Sequence, residues 1–452
     1  MLRIHFIAIG GSAMHSLALE MKELGHEVSG SDDAIFEPSK SKLEAAGLLP
    51  PRMGWFPEKL SAAIDVVVLG MHAKRDNPEL KKAQELGLKI QSYPEFIATM
   101  TQDKTRVVIA GSHGKTTITS MVLHVLRYHE MNTDYMVGAP VANSTKTLSL
   151  SEENDFVLLE GDEYLSSPID LQPKFLWYQP EIALISGIAW DHVNVFPTFE
   201  NYSSQFERFI LSIQAGGVLV YNEEDEVLKN LVNASQHPIK KIAYQTPKHF
   251  ITDGTTYLET PEGSLPLKVF GRHNLSNLAG AQWIAQLMGM NSSDFYEAIL
   301  SFKGASKRLE LLIKGSSSFL YKDFAHAPSK VKATATAVKT QFNSKKITVC
   351  LELHTYSSLD PEFIKQYNHS LESVEEVIVF YDPEALKIKS RAPIPPQTIR
   401  EAFAHSSLQV FTQSTELHAM LLEKEYSNEV LVMMSSGNFG GIDWEALQTR
   451  FK

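Results

Sequence analysis

Residues 110–117 read AGSHGKTT and decide the fold of this chain. They follow a short apolar run, RVVIA at 106–110, and they lead into an apolar-periodic stretch, TTITSMVLHVLRYH at 116–129. The pattern predicts a buried strand, a tight glycine turn and an amphipathic helix. Glycines let backbone N–H groups face phosphate oxygens, and the start of a helix adds a partial positive charge. The sequence therefore predicts a nucleotide-binding loop within an α/β protein.

The side chains of this loop suit a nucleoside triphosphate and its metal. Lys115 can reach the β- and γ-phosphates, and the hydroxyl of Thr116 can ligate Mg²⁺. Ile109 stands where the full P-loop pattern has glycine, so the motif is the shortened GxxGKT form. An ordinary glycine turn is the alternative. The predicted ATP-binding residues in this loop are Gly111, Ser112, His113, Gly114, Lys115, Thr116 and Thr117.

The composition excludes several classes of protein. The length of 452 residues suggests about three domains. A net charge of −11 argues against a dedicated nucleic-acid binder, because such domains usually carry a basic face. The single cysteine, Cys350, rules out an internal disulfide and fits a reducing compartment. Since there is no basic leader and no run of about 18 apolar residues, the sequence predicts a cytoplasmic protein without membrane contact.

Strand-like and helical stretches alternate along the whole chain. Helical periodicity between the strands is typical of a parallel sheet covered by helices. Polar stretches near 101–105 and 303–306 predict two boundaries, so we expect an α/β chain with domains at 1–104, 105–304 and 305–452. The central P-loop ATPase domain would lie between two Rossmann-like domains. Apolar runs predict strands at 3–9, 27–30, 66–70, 106–110, 155–160, 181–186, 217–221, 319–323, 347–351, 377–380 and 429–434.

A second glycine turn follows the first predicted strand. Gly10, Gly11 and Ser12 form the turn, and Asp32 comes 22 residues after Gly10, near the end of the second strand. This spacing is similar to a dinucleotide fingerprint, in which an acidic residue meets a ribose. The full GxGxxG pattern is broken, so a plain tight turn is the alternative. A dehydrogenase with NAD in this turn is a further alternative, but it leaves the P-loop unexplained.

Polar residues follow two strands of the predicted central domain. Glu160 ends the run DFVLLE, and His192 follows the run EIALIS by a few residues. Because the carboxyl ends of parallel strands face the ligand crevice, both are candidate Mg²⁺ ligands beside the phosphates. Solvated loop acids and a turn-capping histidine are the alternative. Further along, Asn274 and Asn277 open a predicted helix, either as helix caps or as contacts to the base or ribose.

These motifs, in this order, make the chain resemble the Mur ligases, the ATP-dependent amide-forming enzymes of peptidoglycan synthesis. GSHGKTT at 111–117 is similar to the family's GTHGKTT, and GRHNLSNLAGA at 271–281 is similar to its GxHNxxNxxAA. ASKRLE at 305–310 matches an RRxE-type segment that carries an arginine near the γ-phosphate, and KDFAHAP at 322–328 is similar to DDFAHHP. The resemblance covers nearly the whole chain and implies acyl-phosphate chemistry with ATP and Mg²⁺.

Two branches of the family compete. One joins L-alanine to UDP-N-acetylmuramate, and the other, the murein peptide ligases, joins L-Ala-γ-D-Glu-meso-diaminopimelate to the same acceptor. EGDEY at 160–164, KFLWYQP at 174–180, Trp190 before the Asp-His pair and SSGNFGGI at 435–442 resemble the second branch. The alanine branch has PHRYTR where this chain has LHTYSS at 353–358, so a bidentate arginine clamp for a carboxylate is missing there. The arginine usual in the recycling branch is His354 here.

The chain also departs from the family. Gly187 and Ala189 stand at usually polar positions, Ala327 replaces the second histidine of AHHP, and Ala8 replaces the first glycine of GIGG. No lysine lies between His192 and Lys229, so we expect no carbamylated lysine.

The resemblance implies a role for each matched residue. The implied roles are catalysis for Lys115, His192 and Arg308; ATP binding also for Asn274, Asn277, Arg308, Asp323 and His326; UDP-sugar binding for Gly10, Gly11, Ser12, Ser31, Asp32, His72 and Asn77; peptide binding for His354 and Tyr356; and Mg²⁺ binding for Thr116, Glu160 and His192.

A rival from another class is a P-loop switch that hydrolyses ATP to move a partner. It predicts ATPase activity without any UDP-sugar and leaves the motifs after residue 304 unused. The expected partners are therefore UDP-N-acetylmuramate and a murein tripeptide, with no nucleic acid and no membrane. The assembly is expected to be a monomer or a homodimer.

Overall fold

The computed structural model describes residues 1–140, 146–192, 195–305, 308–388 and 392–451. Within it the chain forms two compact units, each with its own internal contacts. The first unit comprises Met1–Ile188, Phe199–Tyr244 and Gly280–Ser292, and the second comprises Ala189–Thr198, Gln245–Ala279 and Ser293–Lys452.

The first sheet has four parallel strands in the order β2-β1-β3-β4. Its strands are β1 (Arg3–Ile7), β2 (Glu27–Ser31), β3 (Val66–Leu69) and β4 (Ile90–Ser92), and its helices are α1 (Ser12–Glu23), α2 (Ser39–Ala45), α3 (Pro78–Glu85) and α4 (Tyr93–Met100). The strand order reverses beside β1, so the loops after β1 and β3 border the crevice in which such sheets bind ligands. The predicted strand at 3–9 ends at Ile7, because Ala8 takes a left-handed backbone with φ of 67°.

The second sheet has seven strands in the order β11-β10-β9-β5-β8-β6-β7, and only β7 runs antiparallel. The central strand β5 lies between β8 and β9, so the segments after these three strands come together at one edge of the sheet. The strands are β5 (Thr105–Ala110), β6 (Asp134–Met136), β7 (Leu148–Ser149), β8 (Phe156–Glu160), β9 (Ile182–Ile185), β10 (Val218–Asn222) and β11 (Lys240–Tyr244), with helices α5 (Lys115–Tyr128), α6 (Phe199–Ser212) and α7 (Glu226–Ala234).

An antiparallel three-stranded sheet, which the sequence did not predict, belongs to the second unit. It comprises β12 (His249–Thr252), β13 (Thr255–Thr260) and β14 (Gly263–Leu267), and two helices follow it, α8 (Arg272–Leu287) and α9 (Ser292–Ile299). The side chain of Thr256 donates to Gln341, which ties the sheet to the main body of that unit.

The largest sheet of the second unit has six strands in the order β15-β16-β20-β17-β18-β19. All its neighbours pair in parallel except β15 with β16. The strands are β15 (Glu310–Lys314), β16 (Phe319–Asp323), β17 (Lys346–Glu352), β18 (Glu376–Phe380), β19 (Leu408–Phe411) and β20 (Glu429–Met434). The helices are α10 (Pro328–Gln341), α11 (Pro383–Ile388), α12 (Pro396–Phe403), α13 (Ser414–Glu423) and α14 (Trp444–Thr449).

The α/β class is therefore confirmed, and the four-, seven- and six-stranded sheets correspond to the three predicted domains, with the first two sheets inside the first compact unit. The bounds 1–104, 105–304 and 305–452 stay a prediction. The core strands β3, β5, β9, β17 and β20 are almost entirely buried, as expected of parallel strands covered on both faces. In the part of the chain that the structure describes, no helix combines the length and apolarity needed to cross a bilayer.

Candidate functional site

The loop at 111–114 has two positions, Gly111 and Gly114, whose backbone conformation favours glycine. Gly111 and Gly114 have φ of 123° and 84°, in the left-handed region. A Cβ at Gly111 would lie 2.2 Å from the hydroxyl oxygen of Ser186, so no side chain fits there. The first bond inside α5 runs from the N–H of Ile118 to the carbonyl of Gly114, which leaves the preceding N–H groups without an acceptor in the helix. This is the geometry of an anion site at a helix N-terminus.

Lys115 lies at the start of this helix and is held by two oxygens. Its ammonium donates to the carbonyl of Gly111 at 2.6 Å and to Oε2 of Glu163 at 2.6 Å. Burial lowers its pKa, but the carboxylates of Glu163, Asp162 and Glu160 outweigh that effect, so the pKa lies above its ordinary value. Lys115 is therefore a permanent cation at the loop. The sequence analysis missed Glu163, although it belongs to the EGDEY motif at 160–164.

Thr116 faces the end of β8. Its hydroxyl donates to Oε1 of Glu160 at 2.7 Å, and Oε2 of the same carboxylate accepts the N–H of Gly138 at 2.7 Å. A hydroxyl beside a carboxylate is an oxygen donor set of the kind that Mg²⁺ prefers. Across the described parts of the chain, no three His, Cys, Asp or Glu side chains converge on one point as a ready metal centre. The third predicted ligand, His192, belongs to the second unit.

Ser112 forms hydrogen bonds through its backbone N–H and its hydroxyl. Its N–H donates to the carbonyl of Gly187 at 3.0 Å, and its hydroxyl lies 2.7 Å from that of Tyr202 on α6. Tyr202 in turn donates to Glu163 at 2.8 Å. No sequence pattern marks Tyr202, because it lies within an ordinary amphipathic helix.

Gly187, one of the departures from the family pattern, lies beside the carboxylate of Asp225. Its φ is 151°, and a Cβ built on it would lie 2.9 Å from Oδ2 of Asp225. The same oxygen accepts the N–H of Ile188 at 2.7 Å, while the other oxygen caps α7 through Leu228. The carboxylate of Asp225 therefore stands close to a position that lacks its usual polar side chain.

The glycine turn after β1 is tied to Asp32. The N–H of Gly10 donates to Oδ2 of Asp32 at 2.7 Å, and a Cβ at Gly10 would lie 2.7 Å from Ile35. Burial raises the pKa of Asp32 above its ordinary value, although the N–H of Gly10 opposes the rise. Asp32 thus shapes the turn. A ribose contact through its remaining lone pairs stays a prediction.

The other predicted UDP-sugar residues occupy different settings. Ser31 is fully buried and accepts from the ammonium of Lys59 at 3.1 Å, whereas Ser12 begins α1 and is exposed. His72 is exposed on the loop after β3. Asn77 is buried, and its side-chain oxygen caps α3 by accepting the N–H groups of Glu79 and Leu80. Asn77 therefore has a structural role, and a contact with the sugar stays a prediction.

In the second unit, Asp191 fixes the backbone beside His192. Oδ1 of Asp191 accepts the N–H of His192 at 2.8 Å, and His192 has a left-handed φ of 54°. Lys330, on α10, places its ammonium 3.5 Å from Oδ2 of Asp191. Burial raises the pKa of Asp191, but the charges of Lys330 and His192 hold it well below its usual range. Asp191 and Lys330 were not among the predicted site residues.

Arg308, His326 and Asp323 belong to the same unit. The guanidinium of Arg308 lies 4.6 Å from the ring centre of Phe324. His326 donates through Nδ1 to the carbonyl of Phe324 at 2.8 Å, and burial lowers its pKa to about 4. Asp323 accepts the N–H of Leu309 at 3.2 Å and the hydroxyl of Thr334 at 2.5 Å, so it orders the segment after Arg308.

Two of the predicted nucleotide contacts lie in the first turns of α8. Asn274 and Asn277 are both buried, and the side-chain amide of Asn274 donates to the carbonyl of Phe270 at 2.9 Å. Because the helix begins at Arg272, Asn274 lies inside the first turn and is not the N-cap. Its contact with a base or ribose stays a prediction.

His354 and Tyr356 follow β17 on an open surface. The side chain of His354 is 43% exposed, with Nδ1 3.8 Å from Oε1 of the buried Glu352, and Tyr356 is 55% exposed. Glu352 accepts the N–H of Phe439 at 2.9 Å, which brings the glycine-rich segment 437–441 beside it. A Cβ at Gly437 would lie 2.7 Å from Glu352 and 2.9 Å from the ring of His354, so the approach requires glycine.

Comparison with known proteins gives the family. The profile described as Mur ligase family, catalytic domain, matches residues 3–105, and that of the Mur ligase middle domain matches residues 109–285. A UDP-N-acetylmuramate–L-alanine ligase from Caldicellulosiruptor saccharolyticus is 30% identical over 83% of this chain and 83% of its own. A UDP-N-acetylmuramate–L-alanyl-gamma-D-glutamyl-meso-2,6-diaminoheptandioate ligase from Haemophilus influenzae is 27% identical over 99% of both chains.

Solved structures agree on the fold. A murein peptide ligase from Psychrobacter arcticus matches with a TM-score of 0.66 and 22% identity over 99% of both chains. The UDP-N-acetylmuramate–alanine ligase of Thermotoga maritima matches with a TM-score of 0.71 and 19% identity over 100% of this chain and 98% of its own. A MurF ligase from Thermotoga maritima, solved in complex with ADP, matches with a TM-score of 0.62 and 14% identity over 88% of this chain and 96% of its own. With its two matching domain profiles and a relative at 30% identity over most of both chains, this protein is a ligase of the Mur ligase family.

Proposed function

We propose that this chain joins the tripeptide L-Ala-γ-D-Glu-meso-diaminopimelate to the lactyl carboxylate of UDP-N-acetylmuramate at the expense of ATP, in cytoplasmic peptidoglycan recycling. The observation that carries the ATP-dependent part is the start of α5, where Lys115 and the Thr116–Glu160 pair adjoin a glycine loop without room for a Cβ at Gly111. Such a loop suits the phosphates of a nucleotide.

The chemistry begins at a poor electrophile. A carboxylate does not react with an amine, so its oxygen first takes the γ-phosphoryl group of ATP, and ADP leaves. The peptide amine then attacks the carbonyl carbon of this acyl phosphate, the tetrahedral intermediate expels phosphate, and the amine loses a proton. Fixed cations stabilise the charge that spreads over the phosphoryl oxygens. Lys115 and Arg308 are the residues proposed for that role.

The donor set at the loop fits a magnesium nucleotide. Thr116 and Glu160 would hold Mg²⁺, with His192 as the third proposed ligand. When bound, Mg²⁺ neutralises phosphate charge. The N–H groups at the start of α5 would bind phosphate oxygens, and Asn274, Asn277, Asp323 and His326 are the further proposed nucleotide contacts.

The acceptor would bind at the crevice of the first sheet. The turn of Gly10, Gly11 and Ser12 lies at the carboxyl end of β1, and Asp32 fixes the N–H of Gly10. Small, tightly packed turns of this kind let a ligand approach the backbone. Ser31, His72 and Asn77 complete the proposed UDP-sugar set. That the protein is a monomer or a homodimer also stays a proposal.

The choice of the peptide branch rests on the surface after β17. A free amino acid presents a carboxylate next to its amine, which an arginine pair binds well. The segment 353–358 contains no arginine, and its exposed groups are His354 and Tyr356. Such a surface suits a longer peptide better than L-alanine. The coverage of 99% of both chains with the Haemophilus influenzae ligase supports the same choice.

A second candidate is ligation of L-alanine to the same acceptor. It is favoured by relatives of that name, such as the one from Caldicellulosiruptor saccharolyticus at 30% identity. On this alternative, a group other than arginine would bind the carboxylate of alanine.

The deciding experiment measures phosphate release from ATP with UDP-N-acetylmuramate and either the tripeptide or L-alanine. Turnover with the tripeptide alone supports the proposal, and turnover with L-alanine overturns it in favour of the second candidate. Phosphate release that is independent of the UDP-sugar would instead identify an ATPase without ligase activity.

A further inference from the structure

Four side chains form a closed chain of hydrogen bonds around the nucleotide loop, which we name the Tyr202 network. Lys115 donates to Oε2 of Glu163 at 2.6 Å, Oε1 of Glu163 lies 2.8 Å from the hydroxyl of Tyr202, and that hydroxyl lies 2.7 Å from Oγ of Ser112. Lys115 also donates to the carbonyl of Gly111. The network therefore starts and ends on the same loop.

The donors in this network follow from elementary chemistry. A carboxylate paired with an ammonium accepts hydrogen bonds only, so the single proton of Tyr202 goes to Glu163. The oxygen of Tyr202 must then accept the hydrogen bond from the hydroxyl of Ser112. Tyr202 thus joins Glu163, the carboxylate that pairs with Lys115, to the side chain of Ser112 in the loop.

The network is buried and packed, so its geometry is fixed before any ligand arrives. Tyr202 is fully buried, and Glu163 and Ser112 are 1% and 4% exposed. The ring of Tyr202 packs edge-on against Phe206, one turn further along α6, at 5.4 Å between ring centres. Hydrogen bonds between buried partners, one of them charged, are the strong ones.

We infer that Tyr202 is a positioning residue for the nucleotide phosphates. It acts through Glu163, which sets the place of the Lys115 ammonium, and through Ser112, which sets the backbone of the loop. The inference rests on the proposed function in that it takes ATP as the ligand of the loop. Nothing in the sequence pattern marks Tyr202, since its role arises from the packing of α6 beside the ends of β5 and β8.

The test is Tyr202→Phe in the full-length protein, which removes the hydroxyl and keeps the ring. The matched control is Tyr178→Phe, a tyrosine of the same unit that is 1% exposed and whose hydroxyl contacts only the sulfur of Met136, at 3.8 Å, among the hydrogen bonds of the described residues. Calorimetry with MgATP, without UDP-sugar, gives the dissociation constant directly. We expect about tenfold weaker binding for Tyr202→Phe, as for loss of one good hydrogen bond to a charged group, and no change for the control.

Steady-state kinetics separate positioning from a general loss of structure. For Tyr202→Phe we expect a rise in KM for ATP, while KM for the UDP-sugar stays close to the parent value. The melting temperature should fall by only a few degrees, because a single buried hydroxyl is lost from a large protein. Glu163→Gln keeps the shape of the side chain but removes its charge, and it should weaken the binding of MgATP as well. Because both variants break one network, the double variant should lose less than the product of the two single effects.

Three outcomes have distinct meanings. If the parent protein binds no MgATP, the proposed function fails. If the parent binds and Tyr202→Phe binds equally well, the inference alone fails. If Glu163→Gln binds MgATP more tightly than the parent, Glu163 competes with the phosphates for Lys115, and the positioning role is overturned.

Discussion

The hydroxyl of Thr116 lies 2.7 Å from a carboxylate oxygen of Glu160, so the first turn of α5 is joined to the end of the neighbouring strand β8. The second oxygen of Glu160 accepts the N–H of Gly138. This carboxylate therefore has a fixed orientation beside the loop that carries Lys115. Its place follows from the pairing of β5 with β8, in which Ile109 stands opposite Glu160.

Glu160→Gln is expected to weaken the binding of Mg²⁺. The amide keeps the size of the side chain but supplies one neutral oxygen instead of two charged ones, so the magnesium concentration for half-maximal activity should rise about tenfold or more. Titration of activity with MgCl₂ at saturating ATP measures this. Glu152→Gln, an exposed acid in the same unit, serves as control. An unchanged magnesium requirement in Glu160→Gln would remove Glu160 from the metal site.

Lys115→Ala is expected to lower ATP-dependent ligation about a thousandfold or more, because the loop loses its fixed cation. Binding of UDP-N-acetylmuramate, measured by calorimetry without ATP, should be retained. Lys81→Ala, at an exposed position on α3, should leave both properties unchanged. Substantial residual turnover in Lys115→Ala would contradict the role assigned to this residue.

Ala8 is expected to tolerate glycine but not valine. Its φ of 67° costs a residue with a Cβ about 1–2 kcal/mol, and a branched side chain suffers more. Ala8→Gly relieves the strain but loses a buried methyl group, so the free energy of unfolding should change by less than about 1 kcal/mol. Ala8→Val should destabilise by about 2 kcal/mol or more. Urea unfolding measures both variants, and equal stability of the two would refute the strain argument.

His326 is expected to make the protein less stable in acid. Burial first, and then the charges of Lys330 and Arg308, lower its pKa to about 4, against the opposing charge of Asp191 and the carbonyl of Phe324. Between pH 6.5 and pH 4 the unfolded chain binds a proton at this position that the folded protein does not bind. The free energy of unfolding therefore keeps its full value above about pH 6.5, the pKa in the unfolded chain. It decreases as the pH falls below that value, by about 2 kcal/mol at pH 5.

The corresponding experiment compares urea midpoints at pH 7.5 and pH 5 for the parent and for His326→Gln, which cannot take up the proton. The variant should lose less stability on acidification than the parent does. His249→Gln, at an exposed histidine, should keep the parental difference. The assignment fails if all three proteins respond to pH alike.

His354→Ala and Tyr356→Ala are expected to weaken the binding of the peptide and of no other substrate. Both side chains are largely exposed on the surface after β17, so the variants should fold normally. KM for the tripeptide should rise about five- to tenfold, by the loss of a polar or aromatic contact, while KM for ATP and for the UDP-sugar stays unchanged. Steady-state kinetics with each substrate varied in turn measure this. Unchanged tripeptide KM in both variants would place the peptide elsewhere.

The shortest strands show where the sequence pattern was too weak. Strands such as β4, β6 and β7 have two or three residues, too few for a periodicity of two to be visible. All four residues of β12 are exposed, so the antiparallel sheet at 249–267 shows no alternation of buried and exposed positions at its start. The strands β16 and β20 were predicted with their observed bounds, because apolar runs between polar stretches are a local signal.

The sequence by itself determined the α/β class, the loop at 111–117, and the motifs that place the chain among the Mur ligases. These features are local, because glycine torsions and apolar runs depend on a few consecutive residues. The tertiary structure alone decided which side chains surround the loop. Glu163 reaches Lys115 across 48 residues, and Tyr202 reaches Ser112 across 90. The order of the strands and the packing of α6 bring these partners together, and contacts at such separations leave no periodic signal in the chain.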